Sequence, residues 1–247
     1  MSEKKVEIMN ATPNQIEKAI SNALDKFYDR RVEKLNTLSL NYLLKRKNPY
    51  LFRGKGVTVA AEVVQELVLA FMSSSEETLF GNIFFEEVAL AASGGEKALA
   101  DSIDIVIHTE DSVKAIAVKS GPSVFNAQSK RRQQQAFEEM RKRLAGHRKH
   151  YDPIVGYAYG KKSQSSRSQA NFREIAGQAF WEEITGDPEF YLKIARLMKD
   201  KPQEHAKDYK EAYGAAINRL TRDFTERFCD ENGFIDWDKW IKFNSGK

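Results

Sequence analysis

The sequence predicts an α/β fold in which a small mixed β-sheet is flanked by many α-helices. Three observations predict it. Two β-branched runs, Ser102 to His108 and Val113 to Lys119, are separated by the short polar stretch Thr109-Glu110-Asp111-Ser112, which makes them an antiparallel hairpin. A third run, Asp152 to Gly160, follows a long helical segment and completes a strand–helix–strand crossover. Apolar residues at three- and four-residue spacing fill most of the remaining chain.

The first helix starts at Thr12-Pro13-Asn14-Gln15, with a threonine cap, proline at the first helical position and glutamine three residues after the cap. Ile16, Ala19, Ile20, Ala23, Leu24 and Phe27 give it one apolar face, and it is expected to run to about Leu38. Pro49, Gly54 and Gly56 break the pattern in KRKNPYLFRGKG. A second helix is expected from Val59 to Met72. A third starts near Ser75, with Glu76 and Glu77 at its positive end, and stops at Ser93-Gly94-Gly95. The basic segment SKRRQQQAFEEMRKRLAGHRKH forms the crossover helix, ending near Gly146. Glu174-Ile175 reads as a short fourth strand, and the chain is mostly helical from about Gly177. The aromatic end FIDWDKW reads as a helix docked on the core.

A length of 247 residues permits a well-buried core, and no linker separates the helical N-terminal part from the sheet. The reading is therefore one domain, 1–247. It has an N-terminal helical part (1–58) available for dimerisation, a central core (59–176) and a C-terminal helical part (177–247). The composition, 41% hydrophobic and 30% charged, is that of a soluble globular protein. A net charge of +4 permits a nucleic-acid partner without demanding one, so the placement of charge matters more than its sum. Cys229 is the only cysteine, which excludes an intramolecular disulfide and a cysteine-based zinc site within one chain. The charged start MSEKKVEIMN is not a signal peptide, and no run approaches the roughly 18 apolar residues that cross a bilayer. The expectation is a cytoplasmic protein with no membrane association.

The hairpin carries the chemistry. Asp104 is an acid inside the apolar strand Ile103-Asp104-Ile105-Val106-Ile107, and a buried carboxylate needs a partner, a metal or a raised pKa. Lys119 ends the neighbouring apolar strand. With so short a turn the two meet at one end of the sheet, where an acid and a lysine can hold a divalent cation and a water beside a phosphate. Taken alone, such a pair is more often a surface ion pair worth little.

NPYLFRGKG, ELVLAFMSSSEETLFG, SIDIVIH, AIAVKSGPSVFN and IVGYAYG, in that order, resemble type II restriction endonucleases of the PD-(D/E)XK superfamily. They are similar in particular to enzymes that cut interrupted GG/CC palindromes. The resemblance implies a restriction-endonuclease-like core. It also implies a homodimer acting on double-stranded DNA and Mg²⁺-dependent hydrolysis that leaves 5′-phosphates. By it, Asp104 is the metal-binding acid and Lys119 the motif lysine. The residue two before that lysine is Asp or Glu in the family, and here it is Ala117. Alanine cannot bind a metal, so the chain has either lost cleavage or draws a carboxylate from elsewhere. Glu86, Glu87 and Asp101 are the candidates, and the resemblance, aligned from Gly81, points to Glu86.

The DNA-facing surface is expected next to Lys119. The loop SGPSVFNAQ offers Ser120, Ser123, Asn126 and Gln128, and Lys130, Arg131 and Arg132 open a basic run that extends through Arg141, Lys142, Arg143, Arg148 and Lys149. Lys161, Lys162, Ser163 and Arg167 form a second basic loop. The four histidines, among them His147, show no metal-ligand spacing. A nuclease that reads no sequence and a non-catalytic DNA-binding protein are the competing readings, the second motivated by Ala117.

Overall fold

The computed structural model describes residues 12–123, 125–146, 149–162 and 170–246. His147, Arg148, Ser163 and Arg167, named above as candidates, lie outside them. In chain order the elements are α1 (Pro13–Thr37), α2 (Leu40–Leu44), α3 (Pro49–Gly54), α4 (Ala60–Phe80), a π-helical turn (Gly81–Phe85) and α5 (Glu86–Ser93). There follow β1 (Glu96–Lys97), β2 (Ile105–His108), β3 (Ser112–Lys119), α6 (Ala127–Arg143), β4 (His150–Tyr157) and β5 (Arg173–Ala176). The chain ends with α7 (Gln178–Thr185), α8 (Phe190–Leu197), α9 (Lys201–Phe228) and α10 (Trp237–Ser245). No helix of the described residues is long and apolar enough to cross a membrane.

The chain forms two compact units, whose boundaries fall inside α1 and α4 and at the start of α9. One comprises residues 1–26 and 79–201 and contains the sheet. The other comprises residues 27–78 and 202–247 and is helical. In the helical unit Leu35, Leu44, Val64, Leu67, Leu220, Phe224 and Trp240 form a single core. That core contains Trp240 of the docked C-terminal helix, as its pattern indicated.

The sheet has the order β1-β2-β3-β4-β5. β2 pairs antiparallel with β3, while β4 and β5 add in parallel, so the sheet is small and mixed as expected. Its side chains alternate cleanly. Ile105, Ile107, Ile116, Val118 and Ile154 pack on one face with Ile20 and Leu24 of α1 and with α5 and α7. Ala115, Ala117, Val155 and Tyr157 pack on the other with Phe137 of α6. The apolar face of α1, in the N-terminal part read above as available for dimerisation, is buried within the chain: Ile20 and Leu24 in the sheet unit, Leu35 in the helical unit.

Local chemistry explains the boundaries. Thr12 and Gln15 close the reciprocal cap of α1, with the Thr12 N–H donating to Gln15 Oε1 at 2.8 Å. The break expected between Met72 and Ser75 is absent: α4 runs through it to Phe80, and the helix expected from Ser75 continues as the π-helical turn and α5. Ser73-Ser74-Ser75 contains no glycine or proline, and serine is only mildly unfavourable inside a helix. Asn48-Pro49, read as a break, starts α3: Asn48 Oδ1 accepts from the Tyr50 N–H at 3.0 Å. The stop at Ser93-Gly94 holds, with Gly94 left-handed at φ 63°.

Candidate active site

The site lies at one end of the β2–β3 hairpin. β2 begins at Ile105, one residue later than the acid, yet the ladder continues through Asp104. Its N–H donates to the Ile116 carbonyl at 2.8 Å, and its Oδ2 accepts from the Val118 N–H at 2.7 Å. Continuing the Ile105↔Ile116 register one step sets Asp104 opposite Ala117. Lys119 Nζ lies 3.8 Å from Asp104 Oδ2, and both side chains are only partly exposed. The structure therefore brings the sequence-predicted acid and lysine together.

Ala117 is fully buried against Ala115, Phe137 and Tyr157. The three candidates for the missing carboxylate separate by geometry. Asp101 is exposed and does not line the cleft that holds Asp104. Glu87 is held by Lys26, whose Nζ donates to both of its oxygens at 2.8 and 2.9 Å. Glu86 lines the same open cleft of about 410 Å³ as Asp104, together with Asn82, Ile83, Leu90 and Lys97. Burial, and then the Asp104 charge, push its carboxyl up to about 7, against the pull of Lys119 and Lys97.

A π-helical turn immediately precedes Glu86. Each residue of an α-helix advances about 100°, so a widened turn rephases everything after it. The turn also packs against the end of β3: a Cβ on Gly81 would sit 1.9 Å from Ser120 Oγ. A side chain at that position would have to displace Ser120, so the glycine lets the start of α5 lie close to the strand end carrying Lys119.

A strained backbone supports Asp104. Ser102, two residues earlier, has φ 63°, a left-handed value that costs a non-glycine residue energy. Buried Gln133 of α6 donates to the Ser102 carbonyl at 2.7 Å and ties this bend to the helix. A larger cleft of about 900 Å³, lined by Phe85, Tyr159, Trp181 and Tyr191, contains neither Asp104 nor Glu86.

The expected DNA-facing residues fall into groups. Ser120 is half-buried against Gly81, while Ser123, Asn126 and Gln128 are exposed. Asn126 Oδ1 is engaged in capping α6, where it accepts from the Ser129 N–H at 2.8 Å. Arg131 and Arg132 are exposed near the start of α6, at the Lys119 end of the sheet. Arg141, Lys142 and Arg143 lie at the other end of this 17-residue helix, roughly 25 Å away. Lys149 is at the opposite end of the hairpin from Lys119, donating to the Thr109 carbonyl at the turn. Lys161 is exposed, whereas Lys130 and Lys162 converge on Glu174. Sequence reasoning missed Glu174 as a functional candidate; the only signal was an acid inside a short strand.

Among the described residues, no group of three or more His, Cys, Asp or Glu side chains is arranged to hold a metal ion. The donor set here is two carboxylates with a lysine beside them. A family model described as Type II restriction endonuclease EcoO109I matches residues 14–206, more than three quarters of the chain. No curated protein matches it.

Proposed function

The chain belongs to the EcoO109I family of type II restriction endonucleases, and from that premise we propose that Asp104, Glu86 and Lys119 form its active site for Mg²⁺-dependent cleavage of double-stranded DNA. The observation that carries the reading is the convergence of these three side chains at one strand end, with Glu87 diverted to Lys26. In the PD-(D/E)XK pattern the second acid precedes the lysine by two residues; in this reading Glu86 supplies from a helix the carboxylate that Ala117 lacks.

The donors suit a hard cation. Mg²⁺ takes oxygen ligands and is commonly held by one or two carboxylates plus substrate phosphate. Burial first, and repulsion from Asp104 second, raise the Glu86 carboxyl, and a cation held by the two carboxylates would offset both costs. Bound there, the metal would offset phosphate charge and acidify a water. Asp104 is fixed for its part, because one oxygen is anchored by the Val118 N–H. Lys119 lies beside both acids and stabilises the charge that builds on the phosphoryl oxygens while orienting the attacking water. Hydrolysis in this sense leaves a 5′-phosphate.

The rest of the reading concerns the substrate. A palindromic duplex has two-fold symmetry, and cutting both strands takes two copies of one active site, so the chain acts as a homodimer. The resemblance of its motifs to enzymes that cut interrupted GG/CC palindromes makes such a site the one to test first. Arg131, Arg132, Lys161 and the exposed loop residues Ser123 and Gln128 are the DNA contacts at the Lys119 end.

Three variants test the assignment. Glu86→Gln and Asp104→Asn lose Mg²⁺-dependent cleavage, whereas Glu87→Gln keeps most of it. Normal cleavage by Glu86→Gln refutes the assignment of Glu86. A wild-type protein that shifts DNA on a gel but leaves it intact with every divalent metal is a binding protein, the competing reading that Ala117 motivates.

A further inference from the structure

We propose that Glu174, on β5, is a positioning residue for DNA binding: it holds Lys130 of α6 and Lys162 beyond β4 together as a preformed grip on one stretch of phosphodiester backbone. The proposal rests on the nuclease reading above and adds an acid to a surface that reading treats as basic.

Glu174 is a built centre. Tyr157 donates its hydroxyl to Oε1 at 2.6 Å, Lys162 Nζ lies 3.0 Å from the same oxygen, and Lys130 Nζ lies 3.6 Å from Oε2. The carboxylate side chain is only 13% exposed, against 40% for Lys130 and 30% for Lys162. The acid is therefore enclosed while both ammonium groups keep a side toward solvent. Each also rests on a buried ring: Lys162 lies 5.2 Å from the Tyr157 centroid and Lys130 lies 5.9 Å from that of Phe172. Burial alone pushes the Glu174 carboxyl up, but the hydrogen bonds from Tyr157 and Lys162 and the two lysine charges hold it below its usual value. It stays ionised at neutral pH.

The grip sits beside the active site. β4 pairs Tyr157 with Lys119, and β5 pairs Glu174 with Val155. Alternation then puts Lys119, Tyr157 and Glu174 on one face of the sheet. Lys130 enters from the first turns of α6, which starts at that same end. Two cations, Lys130 and Lys162, flank one anion, so the locus is net positive. Each ammonium has three donors and can keep Glu174 while donating to a phosphate oxygen. A lysine already held loses less freedom on binding than one sweeping through solvent.

The sign of one substitution separates this from simple electrostatics. Glu174→Gln removes a negative charge from a DNA-facing surface, and by Coulomb attraction alone binding would tighten. Positioning requires that it weaken. Gln keeps an acceptor for Tyr157, so the fold is retained. With full-length protein and a duplex fragment that the wild type cuts, affinity should fall roughly fivefold, the ordering cost of two lysines. KM for cleavage should rise by the same factor with kcat unchanged. Glu139→Gln, an exposed neutralisation on α6, should bind no more weakly than wild type. In a Lys130→Ala/Lys162→Ala background, Glu174→Gln should have no effect.

Unchanged or tighter binding by Glu174→Gln overturns the proposal, as does an equal loss in the double-alanine background or a fall in kcat at constant KM. Should Glu174→Gln fail to fold, the lysine variants decide: non-additive losses support coupling through Glu174, and additive losses overturn it. A wild type that binds no DNA sinks the nuclease reading and this proposal together, whereas a wild type that cuts while Glu174→Gln binds as well sinks only the proposal.

Discussion

Replacing Glu86 with Gln should abolish cleavage and yet stabilise the metal-free protein, by an amount that grows with pH. The Glu86 carboxyl is raised from 4.5 to about 7, by burial first and by Asp104 second. Between those values the folded protein holds a proton that the unfolded chain has already lost. The stability linked to that proton is complete below about pH 4.5 and is lost as pH rises through 7. At about 1.4 kcal/mol per pH unit the ceiling is about 3 kcal/mol. Solvent reaches part of this carboxyl, so about 1–2 kcal/mol is the working figure after screening. Gln carries no charge and escapes the loss. A chain of this size shifts its melting temperature by roughly 2–4 °C per kcal/mol. Calorimetry in chelator should therefore find Glu86→Gln melting about 3–6 °C above wild type at pH 8, with the two alike at pH 4.5. Adding Mg²⁺ should narrow the gap by stabilising wild type. Equal melting at pH 8, or a wild type indifferent to Mg²⁺, refutes the idea that Glu86 is a buried carboxylate awaiting a cation.

Lys119→Ala should reduce cleavage about 100-fold or more while DNA binding persists; its 3.8 Å pairing with Asp104 is partly exposed, so the stability cost by thermal melting should stay under about 1 kcal/mol. Arg131→Ala/Arg132→Ala should flatten the slope of log affinity against log salt by about 0.9 for each phosphate no longer neutralised. The triple alanine variant at Arg141, Lys142 and Arg143, a helix length away, should leave that slope unchanged, and equal flattening by both would show that DNA runs the whole length of α6. Gln133→Leu leaves the Ser102 carbonyl without its partner and should cost about 1–3 kcal/mol in denaturant unfolding, with a larger fractional loss of cleavage than of DNA binding because the bend it ties leads into Asp104.

What was legible in the sequence was what depends on local rules. The Thr12–Gln15 cap, the hairpin, the crossover helix and the Gly94 stop each follow from a few neighbouring residues. The meeting of Asp104 and Lys119 followed from hairpin register alone. The rest depends on tertiary context. β1 is two residues long and exists only as an edge on β2. α4 runs through three serines because nothing in them forbids a helix. The choice between Glu86 and Glu87 turns on a π-helical turn that no 3.6-residue pattern reveals, and on Lys26, some 60 residues earlier in sequence. Glu174 was hidden for the same reason: its partners Lys130, Tyr157 and Lys162 come from three different segments. The basic run read as one footprint is divided by the length of α6 into a near end and a far end.

The most direct test of the central claim is a digest of plasmid DNA by the purified protein, with Mg²⁺ and with chelator, followed by sequencing of the fragment ends. Asp104, Glu86 and Lys119 acting as a metal-dependent site predict discrete fragments that share one short palindromic sequence, 5′-phosphorylated ends, and no cutting in chelator. Intact plasmid with every divalent metal tried, or cutting that persists in chelator, contradicts it.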